Sequence, residues 1–374
     1  MPAIALIPAL LLTGSLVYCI LILLAARSYL AQRSGASSAA TGISVLKPLA
    51  GVDEGLEENL RSFFEQDHTE FEILFAVREP DDPAVGLVEA LRKRYPHVPS
   101  QLIVTGEPPY ANAKVFSLAT MMARARHDLL VMSDSDIRVG GHFLASIAAE
   151  FADVKVALAT CPYRAIAGHS FWSALEAEGM NTEFLGGLLV ARMLEGVKFA
   201  VGPTVAARKS ALQAIGGFHL LKDYLAEDFV MGKFAAEAGY GVILSRSIVQ
   251  HRIGSESLRS NFSHRLRWTR STRRSRPLGY VGQIFTYPLA LALLLVAADV
   301  RWWPALLVAC AFRLTAAWAT ICWVLRARPS WVLLPVQDLL SFVFWIAGFF
   351  GNTIVWRGRR YYLYPDGRFE LRAR

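Results

Sequence analysis

The segment LLVMSDSDIR, residues 129–138, joins a short apolar run to a pair of acids. Residues 129–132 have the length and composition of a buried strand, and Asp134 and Asp136 follow directly. Two carboxylates two residues apart can present oxygens to one hard divalent cation, Mg²⁺ or Mn²⁺, if the backbone bends at the strand end. Such a pair also occurs by chance and in ordinary turns, so its meaning depends on the surrounding chain.

The chain before this segment alternates between strand and helix patterns. Apolar strands are predicted at residues 43–46, 71–77, 101–105 and 129–132, and helices at 56–64, 85–94 and 117–125. This alternation predicts an α/β fold with a mainly parallel sheet and helices on both of its faces. Ligands bind such sheets beyond the carboxyl ends of the strands. Functional residues are therefore expected at 47–53, 78–82, 106–114 and 134–136.

Several charged side chains stand at or near these positions. Asp81 and Asp82 precede a proline, which also suits an ordinary helix start. Lys114 follows the third strand, where a cation can meet a phosphate or simply face solvent. Glu227 and Asp228 begin a predicted helix. One of the two carboxylates can act as a general base on a hydroxyl, or both can complement the helix macrodipole.

Six arginines lie between residues 265 and 276, within a strip that also contains His264 and Trp268. A nucleic-acid patch is one interpretation. The strip adjoins a predicted membrane segment, so a basic flank that touches anionic headgroups is simpler. A substrate-binding role is compatible with such a flank, because the strip is long: Arg267 can hold a diphosphate while Trp268 stacks on an acceptor or packs beneath it.

The composition points to a membrane. Of 374 residues, 54% are hydrophobic and 19% charged, and the formal net charge is +8. This excludes a disordered protein and does not suit an ordinary soluble enzyme. Residues 4–25 are uncharged and long enough to cross about 30 Å of hydrocarbon. A signal peptide is the alternative, but the run is long and no basic segment precedes it. Arg27 and Arg33 follow it, which predicts that the downstream chain is cytoplasmic.

Three further apolar blocks occur at residues 277–298, 302–325 and 331–356. We expect about three spans in this region. Three spans would place the tail outside, whereas Arg357, Arg359 and Arg360 favour a cytoplasmic tail, so one block can be interfacial rather than spanning. Arg313 and Asp338 interrupt two blocks and either pair between helices or snorkel. The predicted domains are an anchor (1–26), an α/β domain (34–276), C-terminal helices (277–356) and a basic tail (357–374).

Two smaller features complete the domain picture. The segment 184–202 is apolar but carries three charges, so an interfacial segment and a core helix are both open interpretations. Cys19, Cys310 and Cys322 lie in predicted spans and Cys161 is isolated, which indicates neither disulfides nor zinc. The stretch 33–41 has the small residues of a linker.

The order of these motifs resembles that of inverting, nucleotide-sugar-dependent glycosyltransferases of the GT-A fold whose active site faces a membrane. The closer similarity is to ceramide glucosyltransferases and to the related bacterial hopanoid-associated glycosyltransferases. The matching stretches are KPLAGVD (47–53), ENLRSFFEQD (58–67), DDPA (81–84), DSDIRV (134–139), GGF (216–218) and AED (226–228). With the terminal spans, the similarity covers nearly the whole chain.

This resemblance implies a UDP-sugar donor, a membrane lipid acceptor (ceramide or hopanoid), a divalent metal and a bacterial-type inner membrane with a cytoplasmic catalytic domain. It implies that Asp134 and Asp136 carry the metal and the diphosphate, and that Asp228 is the general base. The remaining implied substrate-binding residues are Lys47, Asp81, Asp82, Lys114, Glu227, His264, Arg267 and Trp268. No nucleic-acid partner is expected.

The chain departs from the family pattern at three places. His264 stands where the family usually has Gln or Arg, and Asp136 stands where several ceramide-type members have glycine. A histidine near the acceptor site of the animal enzymes has no counterpart around residues 182–185. A hopanoid N-acetylglucosaminyl-type transferase and a processive polysaccharide synthase remain alternatives, as does an inactive membrane scaffold. A transporter fits less well, because the polar domain is large.

Overall fold

The computed structural model describes residues 3–32, 41–356 and 358–372. Arg33, Arg357 and nearly all of the predicted linker lie outside these residues. The strands are β1 (Ile43–Pro48), β2 (Phe71–Val77), β3 (Ser100–Val104), β4 (Leu129–Ser133), β5 (Ile137–Arg138), β6 (Val156–Thr160), β7 (Tyr163–Ala167), β8 (Thr204–Arg208), β9 (Gly241–Leu244), β10 (Val249–Gly254), β11 (Thr353–Trp356), β12 (Arg359–Leu363) and β13 (Phe369–Leu371). The α-helices are α1 (Ala3–Leu30), α2 (Leu56–Phe64), α3 (Ala84–Arg94), α4 (Ala113–Arg124), α5 (Phe143–Glu150), α6 (Phe171–Gly179), α7 (Leu185–Glu195), α8 (Lys209–Ala214), α9 (Glu227–Glu237), α10 (Leu258–Ser275), α11 (Pro277–Gly282), α12 (Pro288–Ala298), α13 (Trp303–Trp318) and α14 (Leu333–Gly348).

The central sheet has the strand order β3-β2-β1-β4-β8-β6-β9 within the described residues. Strands β1, β2, β3 and β4 are mutually parallel, whereas β8 runs antiparallel to both of its neighbours, β4 and β6. Strands β1, β2 and β4 are buried along almost their whole length, as continuous apolar runs in parallel sheets usually are. The predicted α/β fold with a mainly parallel sheet is confirmed.

Alternate side chains of the sheet enter two hydrophobic cores. Val45 and Phe75 pack with α2, α3 and α5 on one face. Leu46 and Leu74 pack with α4, α8 and α9 on the other face. Because successive residues of a strand point to opposite faces, the apolar runs of β1 and β2 supply both cores. Both layers of helices leave the carboxyl ends of β1 and β4 at one edge of the sheet.

A second sheet, in the order β5-β10-β7, stands beside this edge. Strand β10 pairs antiparallel with β5, directly after the acidic pair, and parallel with β7. The backbone N–H of Arg252 donates to the carbonyl of Asp136 at 2.8 Å. The small sheet therefore fixes the turn that carries the two aspartates.

The apolar helices confirm the membrane interpretation in outline. Helices Ala5–Leu30 and Val300–Val324 are each long and apolar enough to cross a membrane. The block predicted as a span at residues 277–298 is bent by 68° between Pro277–Thr286 and Pro288–Ala298, as a broken span or a re-entrant loop would be. Pro288 begins α12 and lacks the N–H that would continue the helix. Helix α14 is shorter, with 16 residues.

Arg313 and Asp338 pair between helices, which confirms the first of the two predicted alternatives. Arg313 Nε lies 2.7 Å from Asp338 Oδ1, and both side chains are almost fully buried. Arg313 Nη2 also donates to Thr182 Oγ1 at 2.9 Å, so the guanidinium links α13 and α14 to the segment between α6 and α7. Helix α7 packs its apolar side chains against α1, which favours the core-helix alternative for the segment 184–202.

The C-terminal residues contain structure that the sequence did not predict. Strands β11, β12 and β13 form an antiparallel sheet in a region interpreted as a helix end and a basic tail. The N–H of Phe369 donates to the carbonyl of Asp223 at 2.8 Å, and Tyr224 forms a bridge with Arg368. The small sheet is thereby attached to the loop that leads into α9.

Much of the arginine strip binds protein rather than solvent. Arg270 Nη1 donates to the carbonyl of Thr353 at 2.6 Å, and Arg273 Nη2 donates to that of Gly351 at 2.8 Å. Arg276 forms a two-pronged contact of 2.6 and 2.7 Å with Glu195. For these arginines, the headgroup-facing interpretation is corrected: the guanidinium groups satisfy backbone carbonyls that follow α14, and a carboxylate at the end of α7.

Candidate active site

The turn after β4 sends its two aspartates to different cationic partners. Asp134 Oδ1 lies 2.7 Å from Lys114 Nζ, whereas Asp136 Oδ2 lies 3.1 Å from His251 Nε2. The buried Oδ1 of Asp136 has no hydrogen-bond partner among the described residues. Burial raises the pKa of Asp136, but His251 outweighs it and the net pKa is lowered. Asp134 is thus paired with Lys114, whereas Asp136 pairs with His251 through Oδ2 and keeps Oδ1 without a hydrogen-bond partner among the described residues.

Lys114 connects the turn to the start of α9. Its Nζ lies 3.1 Å from Glu227 Oε1, in addition to its contact with Asp134. Burial lowers the pKa of Lys114, but the two carboxylates overcome this and the net pKa is raised. Asn112 positions the lysine, because its side chain caps α4 at Val115 N and also donates to the carbonyl of Tyr224 at 2.9 Å. The lysine therefore remains charged between two acids.

Asp228 lies beside Glu227 in the first turn of α9. Burial, followed by the negative charge of Glu227, raises the pKa of Asp228 to about 7. A Cβ placed on Gly202 would lie 2.8 Å from Asp228 Oδ2, so a side chain at that position would collide with the carboxylate. A carboxyl group with this pKa exchanges a proton readily near neutral pH, which suits a general base. Simple complementation of the macrodipole would lower the pKa of the carboxyl group and does not explain its rise.

Lys47 lies behind the turn rather than in the loop that follows β1. Its side chain is fully buried, and its Nζ donates to Ser133 Oγ at 3.3 Å and to the carbonyl of Asp134. The ammonium group also lies 4.2 Å from the centre of the Phe63 ring. Burial lowers the pKa of Lys47 to about 7. The structure thus gives Lys47 a role in holding the acidic turn, and direct contact with a nucleotide stays a prediction.

The Asp81–Asp82 pair divides its roles. Asp82 accepts from Gly51 N at 3.0 Å and from Ala84 N at 2.9 Å, so it ties the loop after β1 to the start of α3. Gly51 has a φ of 74°, a conformation that favours glycine. Asp81 is exposed. The ordinary helix-start interpretation therefore holds for Asp82, which also orders a loop at the sheet edge.

The His264–Trp268 stretch lies on α10 and is linked to Asp136 by ring contacts. The Trp268 ring centre lies 4.9 Å from that of His264 and 6.2 Å from that of Phe184. Phe184 stacks on Tyr163 at 5.2 Å, and Tyr163 meets His251 at 5.2 Å. Arg267 is half-buried on the same helix. The chain of aromatic rings brings two distant motifs to one site.

Three functional candidates escaped the sequence analysis. His251 contacts Asp136 from β10, and Glu176 and Glu256 surround His264. His264 Nδ1 lies 2.6 Å from Glu176 Oε1. One possible metal-ligand atom from each of Glu176, Glu256 and His264 lies within 4.8 Å of the other two. None of these residues has a spacing motif. They come together only because α6, β10 and α10 pack against each other.

Most of the chain matches known proteins. The model of glycosyl transferase family 21 matches residues 7–369. Ceramide glucosyltransferase 1 of Caenorhabditis elegans is 31% identical over 232 residues, 61% of this chain and 49% of that protein. Ceramide glucosyltransferase 3 of the same organism is 30% identical over 234 residues, 62% of this chain and 51% of that protein. The chain spans about half the length of these curated relatives.

The fold also matches a solved structure. Mannosyltransferase PcManGT from Pyrobaculum calidifontis, in complex with GDP-Man and Mn²⁺, has a TM-score of 0.57 with this chain. The match covers 93% of this chain and 99% of that one, at 17% sequence identity. The expected GT-A fold is thereby confirmed, and at this identity the similarity concerns the fold alone.

Proposed function

Because the chain belongs to glycosyl transferase family 21, we propose that it transfers a hexose from a UDP-sugar to a hydroxyl group of a membrane lipid. The acceptor oxygen forms a bond to the anomeric carbon while the bond from that carbon to the diphosphate breaks. UDP leaves, the hydroxyl proton passes to a base, and the configuration at the anomeric carbon inverts. This reaction needs no covalent intermediate with the enzyme, so no nucleophile is required.

The observation that carries this proposal is the half-buried carboxyl group of Asp228. Its pKa of about 7 allows it to accept the proton of the lipid hydroxyl near neutral pH. Glu227 and Lys114, next to it, connect the base to the acidic turn at Asp134. The arrangement supports a donor diphosphate near Lys114 and the turn, with the acceptor hydroxyl approaching Asp228.

A divalent cation, Mg²⁺ or Mn²⁺, fits the acidic turn. The unpaired buried oxygen of Asp136 is a hard ligand, Asp134 would supply the second carboxylate, and His251 would hold the other oxygen of Asp136. When bound, the cation neutralises the charge of the departing diphosphate. The solved relative of the same fold contains Mn²⁺. Lys114, which remains charged, supplies a further positive charge on the same side.

The acceptor is proposed to be a lipid because the site adjoins apolar helices. Helix α10 carries Trp268 and leads directly into the bent apolar pair, and α6 packs against α14. The curated relatives are named ceramide glucosyltransferases, which favours glucose and ceramide over a hopanoid acceptor. Two or three candidate spans favour single transfer over processive synthesis of a polysaccharide. Arg27, in the last turn of α1, supports a cytoplasmic catalytic domain in a bacterial-type inner membrane.

The proposal is tested with membranes that contain the full chain. Labelled UDP-glucose, UDP-galactose and UDP-N-acetylglucosamine are supplied with ceramide or a hopanoid, and the lipids are analysed for label and anomeric configuration. We expect an inverted glycolipid with one donor, and its loss in the variant Asp228→Asn. The matched control is Asp153→Asn, on the exposed surface. Labelled lipid of equal amount from both variants would reject the assignment of the base, and retained configuration would reject the mechanism.

A further inference from the structure

A cavity lies where two apolar helices end against the α/β domain. Its wall includes Tyr29 and Leu30 at the end of α1, and residues 324–326 at the end of the Val300–Val324 helix. Both helices are long and apolar enough to cross a membrane. The cavity therefore lies at the level where the hydrocarbon layer gives way to headgroups and water.

Three arginines line this cavity: Arg164 from β7, Arg246 from the loop after β9, and Arg326. The other described lining side chains are uncharged. The guanidinium groups of Arg164 and Arg326 form no hydrogen bond or ion pair with another residue that the structure describes. The nearby acid is Glu150, which accepts from the backbone N–H of Arg246 at 2.7 Å, and burial raises its pKa. The cavity thus carries an excess of positive charge.

The cavity is distinct from the active site. Gln250 and Arg164 are paired residues on β10 and β7, so their side chains lie on the same face of the small sheet. His251, the next residue, points to the opposite face, where it contacts Asp136. One sheet therefore separates the basic cavity on one face from the acidic turn on the other.

The backbone at Arg326 has an unusual conformation. Its φ is 50°, and it is the one residue other than glycine with a positive φ in the described chain. The N–H of Ala327 donates to the carbonyl of Ile321 at 2.9 Å, which closes the helix end in the way that a glycine at this position normally allows. Because a non-glycine residue there is strained, its side chain must supply something that glycine would not.

We propose that this cavity binds a phosphate-bearing anion, and that the anion is the headgroup of a lipid in the bilayer around the helices. Guanidinium groups recognise phosphate oxygens through paired N–H donors. The positive-inside rule alone would explain exposed arginines near the end of a membrane helix, but it does not require them to line a cavity. Here Leu30, which lines the cavity beside the arginines and is 43% exposed, provides apolar surface for the glycerol and upper acyl region. The lipid would bind the helices and domain together without entering the active site.

The test uses the purified full chain in a neutral detergent. Its thermal unfolding is measured with added vesicles of phosphatidylcholine, with vesicles of phosphatidylcholine plus phosphatidylglycerol, and with inorganic phosphate alone. We expect stabilisation by phosphatidylglycerol, weakened about tenfold in apparent affinity by Arg164→Gln or by Arg326→Gln, since each removes a charge-assisted hydrogen bond. Equal stabilisation by inorganic phosphate would overturn the lipid source and retain the anion site.

Two further variants separate binding from folding. Arg328→Gln removes the same charge from an exposed residue that does not line the cavity, so the response to phosphatidylglycerol should persist. Arg326→Gly should raise the unfolding temperature of the lipid-free protein, because the strain is relieved, while losing the response to lipid. The proposal is overturned if the unaltered chain does not respond to either anion, or if Arg328→Gln loses the response as fully as Arg326→Gln.

Discussion

Lys114 Nζ lies 2.7 Å from Asp134 Oδ1 and so joins the start of α4 to the turn after β4. The same ammonium group reaches Glu227 at the start of α9. The start of α4, the turn after β4 and the start of α9 thus meet at one partly buried cation. The contact holds two acids close together that would otherwise repel each other.

The variant Lys114→Met should lower kcat/KM for sugar transfer by about two orders of magnitude, because it removes a fixed positive charge from the donor side of the site. The measurement is a transfer assay in membranes at equal amounts of folded protein. The control is Lys233→Met, whose surface partner Glu237 lies 3.8 Å away. Equal rates in the two variants would contradict the proposed role of Lys114.

The pH profile should report Asp228. Its pKa is raised to about 7, with Glu227, Lys114 and Asp134 as the charged groups that face it. The base works only when it is deprotonated, so kcat/KM should rise with pH up to about 7 and then level. An acidic limb that ends near the ordinary range of an exposed aspartate would argue against this base.

The free energy of unfolding should fall with rising pH, whereas kcat/KM should rise. An aspartate whose folded pKa lies above its unfolded pKa of about 4 binds more protons in the folded state, so stability falls as pH rises between the two values. Asp228→Asn removes this dependence. Its gain in unfolding temperature over the unaltered chain should therefore be larger above the folded pKa than below the unfolded one. Thermal unfolding in detergent at both pH values measures the difference.

Much of the fold was predictable because its signals are local. Strands β1, β2 and β4 are continuous apolar runs, and the acids follow β4 directly. Strand β8 gave no comparable signal, since TVAAR is short and rich in alanine. Its place between β4 and β6 is set by pairing with residues far along the chain, which periodicity does not encode. The antiparallel half of the sheet was missed for this reason.

The site residues likewise divide into those that short local motifs predict and those that only tertiary packing brings together. Asp134, Asp136 and Asp228 stand in short motifs, whereas His251 belongs to a strand with no motif and is identified by its contact with Asp136. Lys114 was expected at the sheet edge, but its carboxylate partners depend on how α4 and α9 pack. For much of the arginine strip, the prediction from sequence was wrong. Charge density suggested a lipid surface, while hydrogen bonds to the backbone after α14 account for Arg270 and Arg273.

Removal of divalent metal should abolish transfer, and Mn²⁺ or Mg²⁺ should restore it. His251→Gln should raise the metal concentration needed by about tenfold, because the imidazole stands beside Asp136. His219→Gln, on the exposed surface, is the matched control. The readout is transfer against metal concentration, with direct Mn²⁺ binding by paramagnetic resonance as an activity-independent check. Metal binding unchanged by Asp136→Asn would remove Asp136 from the ligand set, and metal binding unchanged by His251→Gln would reject the supporting role of His251.

The buried pair of Arg313 and Asp338 should show strong coupling. Arg313→Met or Asp338→Leu alone leaves a charge without its partner and should cost about 3–5 kcal/mol of unfolding free energy. The double variant Arg313→Met with Asp338→Leu should cost much less, because both charges leave together. Unfolding in mixed micelles measures the cycle. Arg301→Met, which breaks an exposed pair with Asp299, should be nearly neutral. Additive single effects would show that the pair is not coupled.

The C-terminal sheet should support catalysis from a distance. Phe369 is 3% exposed and packs with Leu225, two residues before Glu227, whereas Leu371 on the same strand is 51% exposed. Phe369→Asp places a carboxylate in that apolar cluster and should cost about 3 kcal/mol or more, because a large side chain is lost and a charge is buried. We expect the tail to become sensitive to protease and kcat/KM to fall, since the loop before α9 loses its support. Leu371→Asp also introduces an aspartate into β13, but at an exposed position at the end of the strand, and should alter neither measurement. A protease-sensitive tail with normal kcat/KM would show that the sheet stabilises the chain without positioning Glu227 and Asp228.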